Sequence, residues 1–276
     1  MTAQVLKSHK TFDGLTQFWS HFSTETKSEM KFATFIPNGE VKGCILWLSG
    51  LTSTEENFIM KAGAQKYLAE HNLMIICPDT SPRGLNLPGD RDSENFGEGA
   101  GMYVDATTPD YRNHYHMYSY CANELYFMVQ NEFNVKNISI MGYSMGGHGA
   151  MVIGLNNPEK FKALTVFAGL TNPTKSAWTR EAFKGYLGEE SEIWKKYDAT
   201  ELILAGKTFP QPILFHVGSK DEYLVKSILL DGFKEACAQK NQALDLQVVD
   251  GYDHSYYFVS TFIEQHIQYH AKLLKA

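Results

Sequence analysis

The feature that most constrains the fold is a serine between two glycines at the end of an apolar run. Residues 135–141 alternate and are rich in β-branched side chains, which is typical of a buried strand. The run Gly142-Tyr143-Ser144-Met145-Gly146 follows at once, and residues 145–155 are then rich in Ala, Met and Leu, as in a helix. The pattern therefore predicts a strand, a sharp turn at Ser144 and a helix, in that order.

Such a turn needs glycine on both sides. Its strained backbone crowds the residues two before and two after the centre, so Gly142 and Gly146 fit where a Cβ would not. The turn exposes the Ser144 hydroxyl at the edge of the sheet and directs the next backbone N–H groups at the atom that it attacks. This arrangement predicts a nucleophilic serine and hence a hydrolase. The alternative is a glycine-rich turn with a solvated serine.

Composition and charge argue against several other classes of protein. The 276-residue chain is 43% hydrophobic and 20% charged, with a formal net charge of −6 and scattered Lys and Arg. A nucleic-acid partner or an anionic membrane surface is therefore not expected. No apolar stretch reaches the roughly 18 residues of a membrane span, and residues 1–8 lack a secretory pattern.

The four cysteines indicate a reducing compartment. They lie far apart without any C-x-x-C pair, and Cys44 and Cys77 fall inside apolar, strand-like runs. Free and mostly buried thiols are favoured over a disulfide framework or a metal site. We therefore expect a cytoplasmic protein.

The order of predicted elements indicates an α/β fold. Residues 1–36 alternate aromatic and polar side chains and predict antiparallel strands with a turn at Asp13-Gly14. Further strands are predicted at residues 44–48, 73–77, 135–141, 163–168, 212–217 and 244–249. Helices are predicted at residues 57–70, 118–132, 145–156, 226–240 and 258–274. We expect a mostly parallel, twisted sheet with helices on both faces. Nothing marks a boundary, so residues 1–276 are predicted to form a single domain.

Two long segments do not fit a minimal α/β unit. Residues 81–118 are Gly-rich and aromatic, and residues 171–200 separate two of the predicted strands. Loops of this length in a compact domain are usually functional. We expect both to form walls of the pocket.

An acid and a base follow the serine in the order expected for a catalytic triad on this kind of sheet. Asp221 comes directly after the predicted strand at 212–217, and His254 comes after the one at 244–249. In this hypothesis His254 takes the proton of Ser144 and Asp221 orients the imidazole. The other carboxylates near these strand ends are alternatives to Asp221, namely Glu222, Asp250 and Asp253. Asp253 is disfavoured because a residue adjacent to His254 can seldom face its ring.

The remaining histidines and glycines favour no metal or cofactor. His216 is interpreted as a core residue and His148 as a support for the turn. His266 and His270 are spaced i, i+4 but lack the glutamate of an H-E-x-x-H zinc motif. The run Gly97-Glu98-Gly99-Ala100-Gly101 has no Gly-Lys-Ser/Thr and no preceding apolar strand, so nucleotide binding is rejected.

A tetrahedral intermediate also needs hydrogen-bond donors for its oxyanion. One is predicted to be the backbone N–H of Met145, the residue after the nucleophile. The run Leu48-Ser49-Gly50-Leu51-Thr52 follows an early strand with a Gly turn, which makes the Leu51 N–H the second candidate.

Several runs taken together resemble the S-formylglutathione hydrolases, a family also called esterase D. They span nearly the whole chain: Leu48-Ser49-Gly50-Leu51-Thr52, Gly97-Glu98-Gly99-Ala100-Gly101-Met102-Tyr103-Val104-Asp105-Ala106-Thr107, Met117-Tyr118-Ser119-Tyr120, Gly142-Tyr143-Ser144-Met145-Gly146-Gly147-His148-Gly149-Ala150 and Gly251-Tyr252-Asp253-His254-Ser255-Tyr256-Tyr257-Phe258. The resemblance implies the α/β-hydrolase fold and hydrolysis of the thioester S-formylglutathione to formate and glutathione, which removes formaldehyde. It also implies a homodimer and no cofactor.

The resemblance carries the family's site onto this chain. It assigns the nucleophile, acid and base to Ser144, Asp221 and His254, and the oxyanion donors to Leu51 and Met145. It further implies that Trp178 and Tyr103 contact substrate, with a core role as the alternative for Trp178. Many members have Cys where this chain has Ser53, so inhibition by thiol reagents is in doubt.

Three other functions are compatible with the sequence. A broad short-chain carboxylesterase, or an acyltransferase that excludes water, would use the same chemistry. A non-catalytic relative that only binds ligand would usually lack a triad member, and none is missing here.

Overall fold

The computed structural model describes residues 3–275, and the nine strands in that range form one sheet. The strands are β1 (Gln4–Lys10), β2 (Gly14–Ser23), β3 (Ser28–Pro37), β4 (Gly43–Leu48), β5 (Leu73–Pro78), β6 (Ile138–Tyr143), β7 (Leu164–Phe167), β8 (Ile213–Gly218) and β9 (Leu244–Val249). Their order across the sheet is β1-β2-β3-β5-β4-β6-β7-β8-β9. The single sheet supports the prediction of one domain, which stays a prediction.

The first three strands are antiparallel and the rest of the sheet is parallel. β1 pairs with β2, β2 with β3 and β3 with β5, all antiparallel. From β5 to β9 every neighbouring pair is parallel. β4, β5, β6, β7 and β8 are buried along their whole length. Burial on both faces explains why these strands are continuous apolar runs rather than alternating ones.

Helices cover both faces of the parallel strands. They are α1 (Glu56–Lys61), α2 (Gln65–His71), α3 (Met117–Ser119), α4 (Tyr126–Asn131), α5 (Met145–Asn156), α6 (Ala177–Leu187), α7 (Glu192–Lys195), α8 (Ala199–Leu204), α9 (Leu230–Lys240) and α10 (Tyr256–Leu274). Gly154 of α5 lies against the Leu164 side chain, whereas His270 of α10 hydrogen-bonds Thr165. Successive strand residues point to opposite faces, so α5 and α10 sandwich β7. Within residues 3–275 no helix combines the length and apolar character needed to cross a bilayer.

Three predicted helices are interrupted. The helix predicted at 57–70 is two helices, because Gly63 between them has a φ of 67°. The helix predicted at 118–132 contains a π-helical segment, Tyr120–Leu125. The one predicted at 226–240 begins as a π-helical segment, Leu224–Ile228, and restarts after Leu229, which adopts the left-handed conformation. Apolar periodicity does not reveal such local departures from α-helical geometry.

Smaller differences occur at element ends. Gly14, predicted in a turn, is the first residue of β2, and β6 begins at Ile138 rather than at residue 135.

Residues 171–200 contain α6 and α7 and run into α8, with a short 3-10 turn, Pro173–Lys175. These helices lie outside the regular alternation of strands and helices, so that pattern did not predict them.

The order of the strands determines where a site can form. β4 lies between β5 and β6 in the sheet. The chain therefore passes from β4 to its neighbour on one side, β5, and then crosses to its neighbour on the other side, β6. Crevices form at such switch points, beyond the carboxyl ends of the strands. Leu48, the last residue of β4, pairs with Gly142 in β6. The segments that follow these two strands are therefore adjacent in space.

Candidate active site

Ser144 lies on a strained turn between β6 and α5. Its φ of 57° and ψ of −122° are unusual for a residue with a side chain. A Cβ on Gly142 would strike the carbonyl of Gly146, and a Cβ on Gly146 would strike the carbonyl of Leu48 in the neighbouring strand. Glycine at both positions therefore permits the close approach that the spacing predicts. The strain is localised where the hydroxyl must leave the sheet.

The structure brings Ser144, His254 and Asp221 into one hydrogen-bonded line. His254 Nε2 is 2.9 Å from Ser144 Oγ, and His254 Nδ1 is 2.6 Å from Asp221 Oδ2. The Asp221 side chain is buried and that of His254 is 9% exposed. The second carboxylate oxygen, Oδ1, accepts a hydrogen bond from the Tyr223 N–H at 2.8 Å. Both oxygens of Asp221 thus have fixed partners.

Hydrogen bonds between two loops align the acid with the histidine. The Lys220 N–H donates to the Tyr252 carbonyl at 2.8 Å, which joins the loop after β8 to the loop after β9. The Ser219 hydroxyl donates to Asp250 Oδ1 and accepts from the Gly251 N–H, each at 3.0 Å. Because these contacts cross between the loops, they hold the ends of two parallel strands in register.

The other carboxylates near the histidine face elsewhere. Asp250 accepts from Ser219, and Asp253 accepts from the Ser255 hydroxyl. Glu222 is exposed and forms no hydrogen bond to another residue within 3–275. Asp221 is the carboxylate that the fold places against His254.

Two tyrosines flank the imidazole, and the sequence analysis missed both. The Tyr143 ring lies 4.9 Å from the His254 ring, and the Tyr223 ring lies 4.8 Å away in an edge-on arrangement. Burial raises the pKa of Tyr143 above its usual range, so its hydroxyl stays neutral. The position of Tyr223, two residues after Asp221, is the signal that could have identified it.

Two backbone donors near Ser144 have no partner within the described chain. Neither the Leu51 N–H nor the Met145 N–H donates a hydrogen bond to another residue of 3–275. Gly50, which precedes Leu51, lies against the Ser144 side chain, where an added Cβ would come within 3.1 Å of the serine Cβ. Unpaired N–H groups beside a nucleophile are suited to hold a developing negative charge.

An open cleft of about 480 Å³ leads to the serine. Its lining residues come from the segments after β4, β6, β7, β8 and β9, and from both long segments: Gly50, Leu51, Thr52, Glu94, Asn95, Tyr143, Ser144, Leu170, Trp178, Tyr223 and His254. Trp178 is half-buried and its indole N–H donates to Ser227 Oγ at 2.9 Å. Glu94 and Asn95 belong to residues 81–118 and Trp178 to residues 171–200, the two segments expected to form walls of the pocket, whereas nothing in the sequence distinguished Leu170.

Tyr103 does not lie in the cleft, which corrects its assignment as a substrate contact. Its side chain is fully buried, and its hydroxyl donates to the Ser49 carbonyl at 2.9 Å. The ring packs against Gly149, where a Cβ would come within 2.5 Å of it. The family motif marked Tyr103 as special, but its contacts are with the turn before Leu51 and with α5.

The segment 81–118 supports the loop of Leu51 and helix α5, which carry the two candidate oxyanion donors. The Thr52 N–H donates to the Gly99 carbonyl at 2.9 Å. His148 Nε2 donates to the Met102 carbonyl at 2.9 Å, and burial lowers the pKa of His148 to about 4, so the ring is neutral. The His148 ring therefore ties α5 to this segment and forms no hydrogen bond with the Ser144 hydroxyl. The glycine-rich run around Gly99 therefore holds the loop that contains Leu51 and Thr52.

Three further histidines, His216, His266 and His270, are buried near one another at β7, β8 and α10. His216 Nδ1 lies 2.7 Å from His266 Nε2, and His270 Nε2 lies 2.9 Å from Thr165 Oγ1. Burial lowers the pKa of all three histidines. No cluster of three or more His, Cys, Asp or Glu side chains suited to a metal ion occurs within residues 3–275.

Comparisons with known proteins identify the family. The Esterase family, described as "Putative esterase", matches residues 23–269. An S-formylglutathione hydrolase of Bos taurus is 46% identical over all of both proteins, and one of Arabidopsis thaliana is 42% identical over 97% of this chain and 96% of the relative. The structure of an S-formylglutathione hydrolase from Agrobacterium tumefaciens is similar with a TM-score of 0.95, at 39% identity over 98% of this chain and 99% of that one. The resemblance and the fold class predicted from the sequence are thereby confirmed. The chain belongs to the S-formylglutathione hydrolase family of the α/β-hydrolase superfamily.

Proposed function

We propose that this chain hydrolyses S-formylglutathione to formate and glutathione through a formyl ester on Ser144. The observation that carries the proposal is the hydrogen-bonded line from Ser144 through His254 to Asp221, at the edge of the sheet. Relatives named S-formylglutathione hydrolase, 42–46% identical to this chain, support the choice of substrate. No cofactor takes part in the proposed reaction.

In the first half of the reaction the serine is acylated. His254 Nε2 takes the proton of Ser144 Oγ as that oxygen attacks the formyl carbon. Asp221 keeps the proton of His254 on Nδ1 and stabilises the imidazolium. The carbonyl oxygen becomes negative and receives the N–H groups of Leu51 and Met145, each worth about 3 kcal/mol of barrier. The carbon–sulfur bond then breaks.

The leaving group and the acyl group both suit this site. A thiol has a pKa near 8.5, so glutathione departs as a thiolate with little help and takes the proton of His254. A water molecule then attacks the formyl ester while His254 acts as base again, which releases formate and restores Ser144.

Replacing Ser144 by alanine tests the proposal. Turnover of S-formylglutathione is expected to fall by at least about 10⁴-fold with the fold retained, because the three groups act as a unit. Ser260→Ala, an exposed serine of α10, is the control and keeps its activity. A fluorophosphonate should label the wild type and not the Ser144 variant. Near-wild-type turnover of Ser144→Ala would refute the assignment, and an unlabelled wild type would favour the ligand-binding alternative.

The openness of the cleft favours one second candidate, a broad carboxylesterase. A cleft of about 480 Å³ is much larger than a formyl group. Steady-state hydrolysis of S-formylglutathione beside its S-acetyl and S-lactoyl analogues and short-chain aryl esters separates the two functions. A kcat/KM clearly higher for the aryl esters would favour the carboxylesterase.

The assembly and location of the protein rest on the family and on the cysteines. We propose a cytoplasmic homodimer of single-domain subunits. All four cysteines, Cys44, Cys77, Cys121 and Cys237, are free and buried, which suits a reducing compartment. Light scattering coupled to size-exclusion chromatography measures the mass in solution, and a mass near 31 kDa would contradict the dimer.

A further inference from the structure

Glu94 is the one acidic side chain among the residues that line the cleft. His254 is the only other titratable side chain there besides the two tyrosines, and no Lys or Arg lines the cleft. Glu94 is exposed and forms no ion pair or hydrogen bond with another residue in the described range 3–275. Its carboxylate is therefore available to a ligand in the cleft.

The two arginines that precede Glu94 most closely in the chain are paired with other carboxylates. Arg91, three residues earlier, places its guanidinium 2.9 Å from Glu98, and Arg83 binds Asp79 at 2.7 Å. The hydrogen bond and charge of Glu98 raise the pKa of Arg91. Both arginines thus have carboxylate partners of their own.

A neighbouring cleft continues the same charge pattern. It shares Asn95 and Trp178 with the catalytic cleft and adds Glu181, again without a Lys or Arg. The residues that line these two clefts thus include two glutamates and no positive side chain. Such a surface attracts a cation and offers no partner to a carboxylate.

The backbone around Glu94 is anchored. Ser93 and Phe96 form an antiparallel bridge, and the Asn95 N–H donates to Ser93 Oγ at 3.1 Å. The Phe96 ring packs at 4.5 Å from the Tyr186 ring and against Gly185, where an added Cβ would strike it. Glu94 therefore stands at the tip of a short turn whose base is fixed by the aromatic core.

The glutathione part of the proposed substrate has one positive group. It carries two carboxylates and, at its N-terminal γ-glutamyl residue, one ammonium. The lining of the cleft offers the carboxylates no charged partner, whereas Glu94 complements the ammonium.

We infer that Glu94 binds the γ-glutamyl ammonium of the thioester substrate, while the two substrate carboxylates stay in solvent. This inference rests on the proposed function, because it needs glutathione as the leaving group. It makes Glu94 a specificity residue that selects the thiol part of the substrate and not the acyl group. The reacting atoms do not touch it, so its effect should appear in KM and not in kcat.

The test compares Glu94→Gln with the wild type on two substrates. The first is S-formylglutathione, and the second is the same thioester acetylated on its γ-glutamyl nitrogen, which removes the positive charge. For an exposed ion pair, kcat/KM of Glu94→Gln on the first substrate should fall by about three- to fivefold, through KM. On the acetylated substrate the two enzymes should be equal. The difference should also shrink near 1 M salt, where the Debye length is about 3 Å.

Asp92→Asn is the matched control, because it removes the same charge from the same loop at an exposed residue outside the cleft lining. It should behave as the wild type on both substrates. An equal loss for Glu94→Gln on both substrates, an unchanged KM on the first, or the same loss in Asp92→Asn would each overturn the inference. A wild type that does not hydrolyse S-formylglutathione would instead overturn the proposed function itself.

Discussion

Replacing Asp221 by asparagine changes one atom of the site and tests the role of its charge. In the wild type, Oδ2 faces His254 Nδ1 at 2.6 Å and Oδ1 accepts the Tyr223 N–H at 2.8 Å. An asparagine can keep the second bond only if its oxygen faces Tyr223 and its NH₂ group faces His254. The histidine must then accept at Nδ1 and carry its proton on Nε2, where it cannot take the proton of Ser144.

The backbone makes this unproductive orientation the stable one. Turning the amide over would place its NH₂ group against the Tyr223 N–H and leave a buried donor without a partner, at a cost of about 1–3 kcal/mol. The expected loss in kcat is about 10⁴-fold, or roughly 5.5 kcal/mol of transition-state stabilisation. The variant should fold, because Asp and Asn have nearly the same shape.

The assay is steady-state hydrolysis of S-formylglutathione together with thermal unfolding. Glu222→Gln is the control, since that neighbouring carboxylate is exposed and does not contact His254 within the described structure. It should keep its activity. An Asp221→Asn enzyme that is folded and within tenfold of the wild-type kcat would refute this account of the acid.

Two further predictions concern stability. Gly146→Ala should lower the free energy of unfolding by several kcal/mol or prevent folding, because the added Cβ would strike the Leu48 carbonyl. Gly232→Ala should raise the free energy of unfolding by about 1 kcal/mol, because Gly232 lies in α9, where alanine favours the helix and the added Cβ has room. His148 has a pKa of about 4 in the fold against 6.5 ordinarily, so the unfolded chain binds more protons between these values. About 3 kcal/mol of stability should be lost as the pH falls from 6.5 to 4.

Thermal and urea unfolding measure both effects. Equal unfolding midpoints for the two alanine variants would contradict the steric argument at Gly146. His148→Gln can still donate to the Met102 carbonyl without titrating, so its stability should depend less on pH between 6.5 and 4. An unchanged pH dependence would show that other groups are responsible for the acid sensitivity.

The sequence by itself determined the local features of the site. A strained turn needs glycine two residues to either side, so Ser144 could be recognised from Gly142 and Gly146. The contact that requires Gly142 lies within the turn itself, whereas the one that requires Gly146 is with Leu48 in the neighbouring strand. The strand that precedes Asp221 was visible as an apolar run, and the one that precedes His254 as a short segment in which apolar and polar residues alternate. Because parallel strands end at one edge of a sheet, their order along the chain was enough to predict that these side chains meet.

Only the tertiary structure decided which remote groups touch. The alignment of Asp221 with His254 depends on hydrogen bonds between the loops after β8 and β9. The position of Glu94 depends on how Phe96 packs beneath a turn that is far from the serine in the chain. Tyr103 shows the same limit, because its motif marked it as important while its burial removed it from the cleft. Packing between segments far apart in the chain leaves no pattern in either segment alone. Periodicity and spacing therefore predict the turn at Ser144 and the strands that precede Asp221 and His254. The tertiary structure determines which other side chains line the cleft.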